Sequence, residues 1–396
     1  MSTTPAALTS GPAWLTPGDC RLEDLLEVLQ KQTRLEDYPH AARVEQQVLV
    51  YDAAALRPRI ADRTTRSDVQ AELARALSSG PGIVVFTGAF DDLGIVDRAT
   101  AAFDAMIADQ RSRGTASGDH FAKPGANDRV WNALEKLAVA DPGAFVAYYA
   151  NDIIALAATA WLGPGYQVTS QVNVVNPGGE GQTVHRDYHL GFQSDEVCAD
   201  YPSHVHTLSQ VLTLQGAVAH CDMPVVSGPT LYLPHSQKYS RGYVAYRRPD
   251  FQEYFTTHHI QLPLAKGDAV FFNPALFHAA GSNHSADIRR MANLLQISSA
   301  FGRAMESVDR ERTSNAVYAA LLGAKENGLS EREVANVIAA SAEGYAFPTN
   351  LDRDQPIGGM APPTQAELVA ATAREGLPGE ELRRRLAAQA ATKLSH

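Results

Sequence analysis

The chain has 396 residues, of which 45% are hydrophobic and 20% are charged, as is usual for a globular protein. Its 34 basic and 44 acidic residues give a formal net charge of −10, which argues against nonspecific binding to nucleic acid or to an anionic membrane. Three widely spaced cysteines without a CxxC pair argue against a disulfide framework or a structural zinc site. Neither a secretory signal nor an apolar stretch of membrane-spanning length is recognisable, so we expect a cytoplasmic protein.

The first third of the chain is predicted to be mainly helical. Residues 1–64 are expected to form an N-terminal arm with one short helix at 22–32. A capping-box pattern, Ser67–Gln70, predicts the start of a helix that ends near Ser79. A β-branched run bounded by glycines predicts a strand at 82–88. Further helices are predicted at 91–111 and, as a pair, between 128 and 162.

From Tyr166 onwards, apolar and polar residues alternate with the period of a strand. Short segments of this kind are predicted at 167–174, 208–219, 230–233, 260–264, 268–272 and 291–298. Such strands after a helical first third favour an α+β fold, with helices supporting an antiparallel barrel or sandwich. We expect one domain over 65–302, followed by a helical C-terminal extension over 303–396 with capping boxes at Ser330 and Thr364.

Two histidines and one aspartate form the strongest candidate for a functional site. His185 and Asp187 are separated by one residue, so in extended backbone their side chains point to the same side. His278 follows a second predicted strand, where an imidazole needs a polar partner. Two imidazoles and a carboxylate can hold a divalent iron on one face and leave its other positions open. An HxD tripeptide alone is frequent by chance, so its combination with His278 carries the prediction.

Further polar residues could complete the site. Arg289 lies eleven residues after His278, and its guanidinium would suit the distal carboxylate of a keto diacid, although a surface salt bridge is the ordinary role of an arginine. Gln171 and Asn173 share one face of the strand before the HxD pair. Gln210 lies on a later predicted strand. Each of the three could hydrogen-bond a ligand or face solvent.

These residues occur in an order that resembles the phytanoyl-CoA dioxygenase family of Fe(II)- and 2-oxoglutarate-dependent oxygenases. The HxD pair is followed by a Gly-Pro segment at 228–236, by Gly267-Asp268, by the distal His278 and by Arg289. The resemblance spans residues 65–302. The family commonly has Pro-Gly-Ser-His where this chain has Pro234-His235-Ser236-Gln237, which leaves open whether His235 contacts the site. The same question is open for Arg290.

The resemblance implies a double-stranded β-helix, of the jelly-roll or cupin-like type, flanked by N- and C-terminal helices. It implies iron bound by His185, Asp187 and His278, with Arg289 on the C5 carboxylate of 2-oxoglutarate and with Gln171 and Asn173 as further candidates for cofactor binding. Related halogenases have Gly or Ala at the carboxylate position, so Asp187 favours hydroxylation.

The expected function is therefore that of a non-haem dioxygenase that takes Fe(II), 2-oxoglutarate and O2 as cofactors and oxidises a small organic substrate, with release of succinate and CO2. A role in secondary metabolism is our preference among the family's activities. Two alternatives stay open: a cupin-like metal enzyme that does not use 2-oxoglutarate, and a non-catalytic binding protein of the same fold. We expect a small-molecule partner and no nucleic acid or membrane, and a homo-oligomer is compatible with the sequence.

Overall fold

The computed structural model describes residues 13–114 and 126–396, and within these ranges it contains eleven strands and fourteen α-helices. The strands are β1 (Arg43–Glu45), β2 (Val48–Asp52), β3 (Ile83–Thr87), β4 (Asn127–Val130), β5 (Gln167–Val175), β6 (Thr213–Ala219), β7 (Leu231–Leu233), β8 (Ile260–Gln261), β9 (Ala269–Phe272), β10 (Phe277–Ala279) and β11 (Arg290–Ser298). The helices are α1 (Leu22–Leu29), α2 (Ala53–Arg59), α3 (Arg63–Ser78), α4 (Leu93–Ser112), α5 (Ala133–Ala140), α6 (Pro142–Tyr149), α7 (Asp152–Leu162), α8 (Asp195–Ala199), α9 (Ser203–Val211), α10 (Pro249–His258), α11 (Arg310–Glu326), α12 (Glu331–Ser341), α13 (Gln365–Arg374) and α14 (Gly379–Thr392).

Eight strands form one sheet in the order β1-β2-β3-β9-β6-β11-β5-β4. All neighbours in it are antiparallel except β2 and β3, which are parallel. The long strand β11 is the sixth in this order, and it pairs with β5 on one side and with β6 on the other. Arg290 is paired with Val175 and Ser298 with Gln167, so this register fixes which residues of β5 and β11 share a face.

Three shorter strands form a second sheet in the order β10-β7-β8, which is extended at its β10 edge by a single bridge between His185 and His278. Apolar side chains from both sheets form a buried cluster that includes Val85, Val270, Phe272 and Tyr232. Two mostly antiparallel sheets joined through such a cluster constitute the predicted double-stranded β-helix. The α+β fold class is confirmed.

Helices α2 to α7 and α11 to α14 cover the outer face of the large sheet. One hydrophobic cluster contains side chains of α3 to α7, of β5 and β11, and also of the C-terminal helices, such as Val337, Val369 and Leu386. Helices that bury an apolar stripe on a sheet in this way form the second layer of an α+β domain. Near the other end of the chain, β2 joins the sheet through β3. The domain boundaries at 64/65 and 302/303 remain predictions, and the start of the N-terminal arm lies outside the described residues.

Three predicted elements differ from the structure. The pair of helices predicted between 128 and 162 is the end of strand β4 followed by three helices, α5 to α7. Helix α3 begins at Arg63, because the Asp62 carboxylate caps it by accepting from the Thr65 amide at 2.8 Å, and Ser67 lies inside the helix. The segment predicted as a strand at 208–219 begins as α9 and becomes β6 only at Thr213. In α9 the buried residues His206 and Ser209 are three apart, which is the spacing of a helix face. The capping boxes at Ser330 and Thr364 are confirmed.

Within the described residues, no single helix has the length and apolar character needed to cross a membrane; the bent pair of α6 and α7 meets those criteria only when its two helices are taken together.

Candidate metal centre and its cavity

The HxD tripeptide runs antiparallel to β10. The His185 amide donates to the His278 carbonyl at 2.9 Å, and the His278 amide donates back to the His185 carbonyl at 3.2 Å. The Asp187 amide donates to Pro274 O at 2.9 Å. Because side chains alternate along extended backbone, His185 and Asp187 point to one side and Arg186 to the other. The backbone pairing brings His278 onto the same side as His185 and Asp187.

His185, Asp187 and His278 form a compact group in which the potential ligand atoms all lie within 4.8 Å of one another. The Asp187 Oδ2 atom is 3.8 Å from His185 Nε2 and 3.4 Å from His278 Nε2. Both rings are oriented through their other nitrogen: Nδ1 of His185 is 2.9 Å from Thr183 O, and Nδ1 of His278 is 2.8 Å from Leu276 O. A carbonyl accepts only from a protonated nitrogen, so in the neutral form of each ring the lone pair is on Nε2.

The donor set fits a divalent transition metal. The Nε2 atom of His278 is buried and has no hydrogen-bond partner within the described residues. A buried acceptor of this kind is costly unless a ligand satisfies it. Two imidazoles and one carboxylate on the same side are the facial triad of non-haem iron enzymes. His185 Nε2, Asp187 and His278 Nε2 are therefore the atoms that would hold the metal.

Asp187 is held in its charged form. Burial alone would raise the pKa of this carboxyl, but the neighbouring His185 and His278 rings and the Gln215 amide outweigh burial and lower the pKa to about 2. Gln215 Nε2 donates to Asp187 Oδ2 at 2.5 Å, and the Tyr243 hydroxyl donates to the Asp187 backbone carbonyl at 3.1 Å. The carboxylate is thus oriented by a side chain of β6 and by its own backbone, as is usual for a metal ligand.

The three residues lie in the wall of a cavity of about 660 Å³ enclosed by the two sheets. On β11, alternate residues face this cavity, from Arg290 at one end through Ala292 and Leu294 to Gln296 at the other. Six residues of extended strand correspond to about 20 Å, so the cavity has two distinct ends. The volume is within the range of small-molecule sites.

Arg290, and not Arg289, is the arginine that reaches the cavity. Arg289 precedes β11 and pairs with Asp104 of α4 at 2.8 Å, and 37% of its side chain is exposed. Arg290 is the first residue of β11, lines the cavity and is only 7% exposed. This placement does not bring Arg289, the arginine predicted to bind 2-oxoglutarate, to the cavity, because residues 289 and 290 point to opposite faces at the start of the strand.

The Arg290 guanidinium has the properties of an anion site. Its Nη1 donates to two carbonyl oxygens, Ser227 O at 3.2 Å and Gly281 O at 3.0 Å, and no described carboxylate pairs with it. Burial lowers the pKa of Arg290 to about 10, so the group stays charged at neutral pH. A buried cation without a counter-ion is unfavourable unless an anionic ligand binds there.

Gln171 and Asn173 both face the cavity from β5. Asn173 is paired with Ala292, and its Oδ1 is buried without a hydrogen-bond partner in the described part of the chain. Gln171 lies nearer the other end, where its Oε1 accepts from Arg129 Nη1 at 3.0 Å and its Nε2 donates to Gln296 Oε1 at 3.3 Å.

Gln210 does not line the cavity. It lies on α9, and its Oε1 is 3.4 Å from Asn273 Nδ2. Gln215, five residues later on β6, occupies the site and was missed because the strand was predicted to begin too early. The alternation of Gln215 with apolar residues along Thr213–Ala219 is the signal that could have identified it.

His235 lies outside the cavity wall. It has a positive φ of 75°, a conformation that favours glycine, which explains why the family commonly has glycine here. Its ring is buried and contacts Thr33 Oγ1 at 3.1 Å and Lys238 Nζ at 2.7 Å. His235 therefore ties the turn after β7 to the N-terminal region.

The end of the cavity opposite Arg290 is both polar and aromatic. Arg129 of β4 is buried, stacks on the Trp131 ring at 4.9 Å and bonds Gln171. Phe192 and Met305 also line this end, and both are partly exposed. Arg129 is a site residue that the sequence analysis did not predict.

Comparison with solved structures shows resemblance over about three fifths of the chain. The non-heme alpha ketoglutarate dependent carbocyclase SnoK from nogalamycin biosynthesis is 20% identical with a TM-score of 0.43, covering 62% of this chain and 89% of its own. AviO1 from Streptomyces viridochromogenes Tue57 is 17% identical with a TM-score of 0.43, covering 59% and 96%. HygX from Streptomyces hygroscopicus, solved with nickel and 2-oxoglutarate, is 14% identical with a TM-score of 0.37, covering 58% and 87%. No curated protein matches the chain.

The family model of phytanoyl-CoA dioxygenase (PhyH) matches residues 79–291, more than half of the chain. The matched region contains His185, Asp187, His278 and Arg290. Together with the geometry of the triad, this match confirms the predicted cofactors, which are iron, 2-oxoglutarate and dioxygen. The chain belongs to the phytanoyl-CoA dioxygenase family.

Proposed function

We propose that this protein hydroxylates a small organic substrate in a reaction that consumes 2-oxoglutarate and O2. The reaction converts R–H, 2-oxoglutarate and O2 into R–OH, succinate and CO2, with one oxygen atom going to each of the first two products. The observation that carries the proposal is the placement of the triad and the buried Arg290 on one cavity. A keto diacid that binds a metal through one end needs a cation for the carboxylate at its other end. Arg290 is a cation near the triad, and no described carboxylate pairs with it.

In this proposal, His185, Asp187 and His278 hold the iron, and the bound iron supplies the redox chemistry of keto-acid decarboxylation and substrate oxidation. Arg290 takes the distal carboxylate of 2-oxoglutarate, because a guanidinium binds a carboxylate through two parallel hydrogen bonds. The keto acid then extends from Arg290 towards the triad.

Asn173 supports the same placement of the cosubstrate. Its amide lies two residue pairs along the sheet from Arg290, opposite Ala292, and its unpartnered Oδ1 faces the cavity. A buried amide with an unused acceptor binds a ligand or an ordered water. We infer that Asn173 contacts the keto acid or a water beside it.

The substrate would occupy the other end of the cavity, between the triad and the partly exposed Trp131, Phe192 and Met305. Gln171, Gln296 and Arg129 supply hydrogen-bonding groups there, while the aromatic rings supply apolar surface. The enclosing walls exclude water from the reacting atoms. Asp187 fills the position that halogenases leave to chloride, which favours hydroxylation.

Isotope labelling tests this proposal. The iron-loaded protein would be given 2-oxoglutarate under ¹⁸O2 with a panel of candidate substrates, and succinate would be analysed by mass spectrometry. The proposal predicts iron-dependent succinate that carries one ¹⁸O atom, together with a product that carries the other. Keto acid that stays intact under all conditions, or labelled succinate formed equally well by His278→Ala, would refute it. Oxidation that proceeds without a keto acid would favour the cupin-like alternative.

A further inference from the structure

Arg186, the residue between two of the proposed iron ligands, has one of the most completely buried side chains in the described part of the chain. It is 1% exposed and points away from the cavity side of the tripeptide, into a cluster that contains Tyr239, Tyr243 and Phe277. The guanidinium carbon lies 5.3 Å from the Tyr243 ring centre and 5.0 Å from that of Phe277. The charge is therefore enclosed between two aromatic faces.

The hydrogen bonds of Arg186 all go to backbone oxygens of one turn. Its Nη2 donates to Ser236 O at 2.6 Å and to Tyr239 O at 2.9 Å. No carboxylate forms an ion pair with it among residues 13–114 and 126–396. A buried cation without a counter-ion is usually less favourable than an apolar side chain of similar volume, so stability alone does not explain an arginine here.

Ser236 connects Arg186 to the third ligand. The Ser236 carbonyl accepts from Arg186, and the Ser236 hydroxyl accepts from the Phe277 backbone amide at 2.8 Å. Phe277 immediately precedes His278. Ser236 thus binds both the tripeptide that carries His185 and Asp187 and the strand that carries His278. These two segments also pair directly with each other.

We propose that Arg186 is a positioning residue that sets the distance between the His185–Asp187 pair and His278 by binding the turn at Ser236–Tyr239. This inference rests on the proposed iron site. Arg186 does not touch the metal and acts through the ligands on either side of it. Outer groups that orient metal ligands typically change metal affinity by about 10- to 100-fold when they are removed.

Replacing Arg186 can make Fe(II) binding weaker or tighter, and the direction of the change separates a positioning role from simple electrostatic repulsion. Removing a buried positive charge close to a cation site would by itself strengthen the binding of Fe(II), because like charges repel. Loss of positioning would weaken it. Arg186→Met keeps most of the side-chain volume while it removes the charge and the hydrogen bonds, so its effect on affinity reports which contribution dominates.

Arg310 provides a matched control. It is also buried, at 9% exposure, and it donates to Ala340 O at 2.8 Å and to Val168 O at 2.7 Å, in the helical layer. Arg310→Met therefore removes a similar guanidinium from similar carbonyl acceptors without altering the turn at Ser236. It reports the general cost of losing a buried arginine.

The test is an anaerobic titration of metal-free protein with Fe(II), for wild type, Arg186→Met, Arg186→Lys and Arg310→Met, with the melting temperature of each variant measured in parallel. We expect the dissociation constant to rise about 10- to 100-fold for Arg186→Met, to rise less for Arg186→Lys and to stay unchanged for Arg310→Met. If Arg186→Met does not fold, the comparison of Arg186→Lys with Arg310→Met decides.

Unchanged or tighter iron binding by the folded Arg186 variants would overturn the proposal, and so would an equal loss in Arg310→Met. The proposed function is judged separately, from turnover of 2-oxoglutarate by the wild type. Wild-type protein that binds iron but never consumes the keto acid would refute the function and leave the Arg186 result valid. Wild-type protein that binds no iron would refute both.

Discussion

His185 and His278 face each other across a single antiparallel bridge, with their ring centres 4.4 Å apart. Each residue donates its amide to the carbonyl of the other, so the backbone pairing brings the two imidazoles together before any metal binds. Each ring is also oriented by a carbonyl two residues earlier in the chain, Thr183 for the first and Leu276 for the second. A ligand pair that is preorganised in this way loses little conformational entropy when it binds an ion.

Replacement of His278 by alanine should abolish the metal site. The variant removes one of three protein ligands, and its effect should exceed the roughly 100-fold loss that outer-sphere changes can cause. Equilibrium dialysis with Fe(II) under anaerobic conditions measures this directly. His284→Ala is the control, because His284 is exposed and lies outside the cavity wall. Retained stoichiometric iron in His278→Ala would contradict the assignment.

The two adjacent arginines should differ sharply in their effect on 2-oxoglutarate. Arg290→Met should raise the dissociation constant for the keto acid roughly 100-fold, or about 2.8 kcal/mol, because a buried charge-assisted contact is lost. Arg289→Met should leave it nearly unchanged, since this partly exposed side chain only pairs with Asp104 at the surface. Calorimetric titration of both variants checks the prediction. A larger effect of Arg289→Met would restore the role first predicted for it.

A substitution beside Arg186 should be unusually costly. A β-carbon on Gly242 would overlap the Arg186 guanidinium, which is buried and has little room to move. Gly242→Ala should therefore lower the free energy of unfolding by about 3 kcal/mol, through overpacking and lost hydrogen bonds.

The matched control for Gly242→Ala is Gly323→Ala. Gly323 lies inside α11, and an added β-carbon there meets no atom within 4 Å. That variant should be neutral or more stable by about 0.5–1 kcal/mol, because alanine is the better helix former. Urea denaturation compares the two variants, and equal effects would contradict the tight packing of Arg186.

His220 should make stability depend on pH. Its Nδ1 is 2.8 Å from Thr100 Oγ1, and its Nε2 is 3.0 Å from the Tyr148 hydroxyl. Thr100 donates its own proton to Val96 O, so its oxygen accepts from Nδ1, and Tyr148 donates to Nε2. Burial lowers the pKa of this neutral ring from 6.5 to about 3.

The pKa of His220 is lower in the folded protein than in the unfolded chain. Between pH 6.5 and 3 the unfolded chain therefore binds more protons than the folded protein. His220 contributes fully to the free energy of unfolding above pH 6.5. As the pH is lowered from 6.5, this free energy decreases by about 1.4 kcal/mol per pH unit. Denaturation of metal-free protein at pH 7.5 and 5.0 should show a shallower loss for His220→Gln than for wild type. His204→Gln, at an exposed position, should lose as much free energy of unfolding between pH 7.5 and 5.0 as the wild type. An equal loss in His220→Gln and wild type would contradict the prediction.

The sequence predicted the elements and residues that depend on local pattern. The strand at 82–88, the capping boxes at Ser330 and Thr364 and the alternation of β5 are visible as short-range signals, and the structure has them. The family and its cofactors followed from the ordered motifs around His185 and His278. These features need no knowledge of how distant segments pack.

Counting residues from His278 selected Arg289, which the structure places outside the cavity wall. The length of the loop between β10 and β11 decides which residue starts the strand, and a change of one residue moves every side chain to the opposite face. The shared face of Arg290, Ala292 and Gln296 becomes evident only once β11 is aligned with β5. Arg129 was missed for a related reason, because only the pairing of β4 with β5 brings it to the cavity.

The central claim is that iron held by His185, Asp187 and His278 binds 2-oxoglutarate within the same cavity as Arg290. Anaerobic addition of 2-oxoglutarate to the Fe(II)-loaded protein tests it most directly, by following the visible charge-transfer band between the metal and a chelated keto acid. We expect a saturable band in wild type and Arg289→Met, a band that needs far more keto acid in Arg290→Met, and none in His278→Ala. Absence of the band in iron-loaded wild type, or its persistence in His278→Ala, would contradict the claim.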